Sequence, residues 1–141
     1  MTPALDFYPA AAPTSVPTGQ SPVSVMVVDD DDDLRSTIQM LLEQAGHRVF
    51  AANNGSKAIK LLGVLQGQIN VILLDYMMPG MDGAQTLAYL RELHPTAKVV
   101  LISGADELRL RQAFVEKGAD FCLHKPLAMN QLLETIQRAA Q

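Results

Sequence analysis

At 141 residues the chain is long enough for one domain with one core, and its 48% apolar and 18% charged residues fit a globular protein in water. A net charge of −4 leaves no basic footprint for nucleic acid, and a single cysteine, Cys122, excludes an internal disulfide. No apolar run approaches the roughly 18 residues that suggest a membrane span, and the N-terminus lacks the basic start and apolar stretch of a signal peptide. A cytoplasmic protein is therefore expected.

Residues 1–22 differ from the rest. They hold five prolines among Ala, Ser and Thr. Proline fixes φ and removes a backbone donor, so this stretch is expected to be a disordered tail, with the folded domain occupying 23–141. Leu5, Phe7 and Tyr8 are the only bulky cluster in it, a short docking segment if the tail has a role.

From residue 23 onward the pattern alternates. An apolar run at 23–28 ends in acids and reads as a buried strand. Residues 34–45 put Leu34, Ile38, Leu41 and Leu42 on one helical face, and Gly46 stops the helix. A second strand follows at 47–52. Asn54 precedes a helix through Ala58, Ile59, Leu61, Leu62 and Leu65. The third strand, 71–74, is apolar at consecutive positions, as expected where both faces are covered.

Pro79-Gly80 and Asp82-Gly83 mark a loop. The helix at 84–93 must end near His94, because the residue before Pro95 avoids the α region. Residues 99–102 form strand four. Asp106 is placed to cap a helix over 107–117, ended by Gly118. Strand five is 121–123, and a last helix covers about 128–140. This (βα)5 alternation predicts an α/β fold, a parallel sheet with helices on both faces. In such sheets the site lies beyond the carboxyl ends of the strands.

Those ends are polar. Asp29 and Asp30 follow strand one, Asp75 strand three, Ser103 strand four, and Lys125-Pro126 strand five. Each alone has an ordinary explanation: a helix-start acid, a turn residue, a loop hydroxyl, a surface lysine. Within the acid run, Asp33 is expected to stabilise the helix N-terminus, and Asp31 and Asp32 to be loop acids. Jointly they are more restrictive. Clustered carboxylates oppose each other's ionisation unless a cation sits among them, and oxygen-only ligands favour a hard ion such as Mg2+. A carboxylate beside Mg2+, a lysine and a hydroxyl is equipped to attack phosphorus and become an aspartyl phosphate.

The stretches VMVVDDDDDLR, VILLDYMMPGMDG, VVLISGAD and GADFCLHKPL resemble the receiver domains of two-component response regulators, over about residues 23–140. The resemblance implies a doubly wound, flavodoxin-like five-stranded sheet of order 2-1-3-4-5. It implies that Asp75 accepts a phosphoryl group from a histidine kinase or histidine phosphotransfer protein. Asp30, Asp75 and the Met77 backbone carbonyl would hold Mg2+, with Asp29 acting largely through a water. Ser103 and Lys125 would engage the phosphoryl group, and the Lys125-Pro126 peptide would be cis. Met77 and Ala105 stand where the family tunes hydrolysis, and neither orients water, which implies moderate to slow self-dephosphorylation.

Three features depart from or add to the pattern. Cys122 occupies the family's usual aromatic position, three before the lysine, and Phe121 falls on the opposite strand face. Ala128 stands where an acidic or hydroxylic helix cap is usual. His47, His94 and His124 lack ligand spacing and read as surface residues.

The function expected is that of a single-domain response regulator, since the span leaves no room for an output domain. It would signal by binding a protein through the surface of the fourth predicted helix, strand five and the last helix, with no nucleic-acid or membrane partner. Its only chemistry would be self-phosphorylation and self-dephosphorylation. The alternatives are a receiver segment of a hybrid kinase or larger regulator, and a Mg2+-dependent aspartyl-phosphate phosphatase. The phosphatase reading is disfavoured by Met77, where such enzymes carry a second acid. A flavin carrier would need a Ser/Thr phosphate loop after strand one, where Asp29 and Asp30 stand instead.

Overall fold

Short apolar runs alternate with helices of three turns, and the computed structural model describes how they pack over residues 22–65, 67–76, 83–104 and 118–141. In chain order these are β1 (Ser24–Val28), α1 (Asp32–Gln44), β2 (Arg48–Ala52), α2 (Gly55–Leu65), β3 (Val71–Asp75), α3 (Gly83–Leu93), β4 (Lys98–Ser103), β5 (Phe121–His124) and α4 (Met129–Ala139). The strands form one parallel sheet of order β2-β1-β3-β4-β5, the order the family resemblance implies. The tail, the Met77 loop, and the predicted 107–117 helix with its Asp106 cap fall outside the described residues.

Every residue of β1 and β3 is buried, because helices cover both sheet faces. Side chains alternate between two cores. Val25, Val27, Val71, Leu73, Val100 and Ile102 meet Ile38 and Leu42 of α1 and Leu132 and Ile136 of α4. Met26, Val28, Ile72, Leu74 and Leu101 meet Ala58 and Leu62 of α2 and Leu87 and Leu90 of α3. Each fully buried Leu or Ile stabilises the fold by about 1.5–3 kcal/mol relative to exposure. The sheet is thus clamped between layers, and its carboxyl edge becomes a rigid shelf.

Local chemistry sets where the helices start and stop. Asp31, expected to be a loop acid, is the N-cap of α1: its carboxylate accepts from the Asp33 and Leu34 amides. Asn54 does the same for α2, accepting from the Lys57 amide at 2.8 Å. At the other end of α1, Gly46 has φ 95°, a left-handed value that favours glycine. There the Gly46 amide donates to Glu43 O and the His47 amide to Leu42 O, a Schellman ending. Ala128 starts α4 in extended conformation with no side-chain cap bond; Asn130 Oδ1 accepts from the Gln131 amide instead.

The reading of all three histidines as surface residues fails for two. His47 is 5% exposed and His94 8% exposed. His47 Nδ1 accepts from the Val23 amide at 3.1 Å, and His94 Nε2 accepts from the Gly67 amide at 3.2 Å. Each ring satisfies a backbone donor that no regular element would, which is why an imidazole is tolerated inside. His124 is exposed.

Candidate functional site

β1, β3, β4 and β5 all end at the same edge, and each delivers polar groups there. Asp29 follows β1 and is buried, its amide donating to Ala52 O at 3.1 Å across to β2. Asp75 closes β3 and is 3% exposed. Ser103 closes β4 and is fully buried. Lys125 follows β5; its amide donates to Ser103 O at 2.9 Å, and the Lys125-Pro126 peptide is cis. Asp30 is exposed at the rim.

The charges converge. Carboxylate oxygens of Asp29, Asp30 and Asp75 lie within 4.8 Å of one another. Lys125 Nζ donates to Asp75 Oδ2 at 3.3 Å and stands 3.9 Å from Asp29 Oδ2. The longer contact is a charge contact rather than a hydrogen bond. Asp29 Oδ1 accepts from the Asp31 amide at 2.8 Å, while buried Asp29 Oδ2 has no hydrogen-bond partner.

Burial pushes the Asp29 carboxyl up to about 6, and the charge of Asp75 pushes the same way; the Asp31 amide and Lys125 pull it down. One lysine therefore faces a surplus of negative charge. A hard divalent cation fits this donor set: three converging carboxylates, all oxygen, with one buried oxygen lacking a donor. Met77, the other expected ligand, lies outside the described residues.

One residue of the site was not anticipated. Arg35, on the first turn of α1, donates from Nη1 to the Asp29 carbonyl at 2.7 Å and from Nη2 to Asp32 Oδ1. The Asp32–Arg35 spacing of three on a helix was a visible signal for the ion pair. The carbonyl contact depends on the path of the acid loop and had no signal.

Cys122 of β5 is half-buried and packs on the α2–α3 core, whereas Phe121 packs on the α1–α4 core. Thus the phenyl ring of Phe121 lies on the sheet face opposite Cys122.

Comparison with known proteins agrees with this architecture. Residues 25–137 match the family model for the response regulator receiver domain. The transcriptional regulatory protein CpxR of Escherichia coli is 38% identical over 113 residues, 80% of this chain and 47% of CpxR. The chain thus spans about half the length of that relative. The two-component response regulator ARR22 of Arabidopsis thaliana is 35% identical over 115 residues, 81% of each chain. The sensor kinase CckA of Brucella abortus is 31% identical over 115 residues, 81% of this chain but 12% of the kinase.

Among solved structures, the chemotaxis protein CheY4 of Vibrio cholerae superposes with a TM-score of 0.77 at 26% identity, covering 84% of this chain and 99% of that one. A CheY-like receiver domain protein of Methanospirillum hungatei gives 0.76 at 27% identity, covering 85% and 94%. With the family model covering most of its length, the chain belongs to the response-regulator receiver domains of two-component signalling.

Proposed function

We propose that this receiver accepts a phosphoryl group on Asp75. The observation that carries the reading is the buried Asp75 carboxylate with Lys125 Nζ at 3.3 Å and the Asp29 and Asp30 carboxylates within 4.8 Å. An Asp75 oxygen attacks phosphorus of a phosphohistidine on a histidine kinase or phosphotransfer protein. The P–O bond forms as the P–N bond breaks, and the imidazole leaves with the electron pair.

Lys125 lowers the cost of bringing a phosphoryl dianion to a carboxylate and pairs with its oxygens once it arrives. Ser103, buried at the adjacent strand end, is the hydroxyl assigned to a phosphoryl oxygen. Asp29 and Asp30, with Asp75 and the Met77 carbonyl, would hold Mg2+, which supplies charge neutralisation for the transferring group. The chemistry stops at self-phosphorylation and self-dephosphorylation, so the domain is a switch rather than a turnover enzyme.

Output is then a binding event: phosphorylation shifts the balance between two surfaces of the domain, and a protein partner reads the result. The reading surface proposed is that of the predicted fourth helix, β5 and α4, as the family resemblance implies. A cytoplasmic setting accords with a kinase partner. No helix among the described residues is long and apolar enough to cross a membrane.

Residues 23–141 constitute the receiver and 1–22 an appended tail. The reading as a single-domain regulator is supported by ARR22, 81% of whose length is matched. A second reading, a receiver segment of a larger regulator or hybrid kinase, is supported by CpxR and CckA, where the match is a part of the whole.

The test is labelling with acetyl phosphate and Mg2+, read by intact-protein mass. One phosphoryl adduct is expected on the wild type and none on Asp75→Asn. An adduct retained by Asp75→Asn overturns the assignment.

A further inference from the structure

Arg35 touches two members of the acid run at once. Its side chain is 17% exposed, and its guanidinium bridges the Asp29 carbonyl at 2.7 Å and the Asp32 carboxylate. The Asp32 end of the bridge is 81% exposed, so that pair adds little to stability. The Asp29 end is different. The backbone of Asp29 is held on both sides, its amide by Ala52 O and its carbonyl by Arg35.

That carbonyl belongs to the peptide unit joining Asp29 to Asp30, the unit that sets the angle between the two side chains. The Asp29 carboxylate has a restraint of its own, the Asp31 amide. The Asp30 carboxylate is exposed, and the backbone that carries it sets the point from which it reaches toward the other two. Helix α1 thus reaches back to orient the loop that precedes it.

We propose that Arg35 is a positioning residue for the cation site: it fixes the Asp29–Asp30 peptide so that both carboxylates converge with Asp75 on one ion. The proposal rests on the metal reading above. It has an unusual sign. A guanidinium near a dication opposes binding by charge alone, so deleting it should tighten Mg2+ if charge were its only role. Positioning demands the reverse.

The experiment is a Mg2+ titration of the full chain by calorimetry, with wild type, Arg35→Ala, Arg35→Lys and Asp32→Asn. Removing a group that orients a ligand typically weakens metal binding by about tenfold or more. Arg35→Ala is therefore expected to raise the Mg2+ Kd about tenfold. Arg35→Lys, which keeps the charge but cannot fork between two acceptors, is expected to fall between it and wild type. Asp32→Asn, which loosens the other end of the bridge, is expected to weaken binding by a smaller factor.

If Arg35→Ala does not fold, as judged by circular dichroism, Arg35→Lys carries the test, because it alone keeps the net charge, whereas Asp32→Asn also removes a negative charge near the cation. Wild-type binding with Arg35 variants unchanged or tighter overturns the role of Arg35 and leaves the cation site standing. A wild type with no saturable Mg2+ response overturns both.

Discussion

The Lys125 ammonium stands 3.3 Å from Asp75 Oδ2 and is the counter-charge that two buried carboxylates share, since Asp29 Oδ2 lies 3.9 Å away. In the absence of a cation this lysine holds the edge of the sheet together electrostatically. Lys125→Met leaves Asp29 and Asp75 facing each other without it. Breaking a buried pair costs about 3–5 kcal/mol, and partial exposure of the lysine reduces this to about 2 kcal/mol. Urea denaturation at neutral pH is expected to show that loss in EDTA and to show most of it recovered in millimolar Mg2+. Equal losses in both conditions would mean that the cation does not take over the lysine's role.

Arg91 ties α3 to the loop before β5. It donates to Gly118 O, to Ala97 O at 2.9 Å and to Asp120 Oδ2, which also accepts from the Val99 amide at 2.9 Å. Arg91→Ala removes the donor to the partly buried Ala97 carbonyl and the part-buried ion pair with Asp120, which keeps the Val99 amide, while the exposed Gly118 carbonyl turns to water. A cost of about 2–3 kcal/mol is expected from the midpoint of urea unfolding. Arg91→Lys is expected to recover less than half, because an ammonium cannot span acceptors arranged for a planar fork.

The start of α4 has room for improvement. Ala128 is extended, with φ −88° and ψ 119°, the geometry of a cap without the capping group. Asp at this position would accept from the first-turn amides and face the positive end of the helix dipole. Ala128→Asp is expected to stabilise by about 0.5–1 kcal/mol and to raise the melting temperature by a few degrees. An unchanged melting temperature would show that Asn130 already satisfies the turn.

His47 makes the fold acid-sensitive. Burial lowers its pKa below the ordinary 6.5. Its Nδ1 accepts from the Val23 amide, so the neutral ring carries its proton on Nε2, which lies 3.2 Å from Gln137 Nε2. Above pH 6.5 the folded and unfolded states are both neutral at this ring and it exacts no penalty. As pH falls below 6.5 the unfolded state takes up the proton first, so stability declines until the folded pKa is passed. Asp29, whose carboxyl is raised to about 6, binds its proton first in the folded state over the same window and stabilises as pH falls. The His47 effect on unfolding free energy is therefore read as a difference: between pH 7.5 and 5, His47→Gln is expected to lose less stability, or gain more, than the wild type. An identical slope in the variant would assign the acid sensitivity to other groups.

The sheet and most of its helices were legible because their signals are local. Buried parallel strands need consecutive apolar residues, as at Val71–Leu74, and helices need a 3.6-residue stripe, as at Ile38 and Leu42. Predicted strand bounds were short by a residue at the carboxyl ends of β3, β4 and β5, because Asp75, Ser103 and His124 continue the ladder while breaking the apolar pattern. Asp31 was misjudged within a run of five identical acids, where only backbone geometry selects the one that caps.

Asp29, Asp75, Ser103 and Lys125 could be placed at one edge from sequence, because chain direction in a parallel sheet sends every strand end the same way. Their inequality could not. Asp29 and Asp75 are buried and Asp30 is exposed, although Asp29 and Asp30 are neighbours, because the chain has left β1 and bends outward at Asp30. The burial of His47, the reach of Arg35 back to the Asp29 carbonyl, and the 3.3 Å approach of Lys125 to Asp75 all join residues distant in sequence or in loop path. Such contacts depend on how the layers stack in three dimensions, and one-dimensional periodicity carries no record of that.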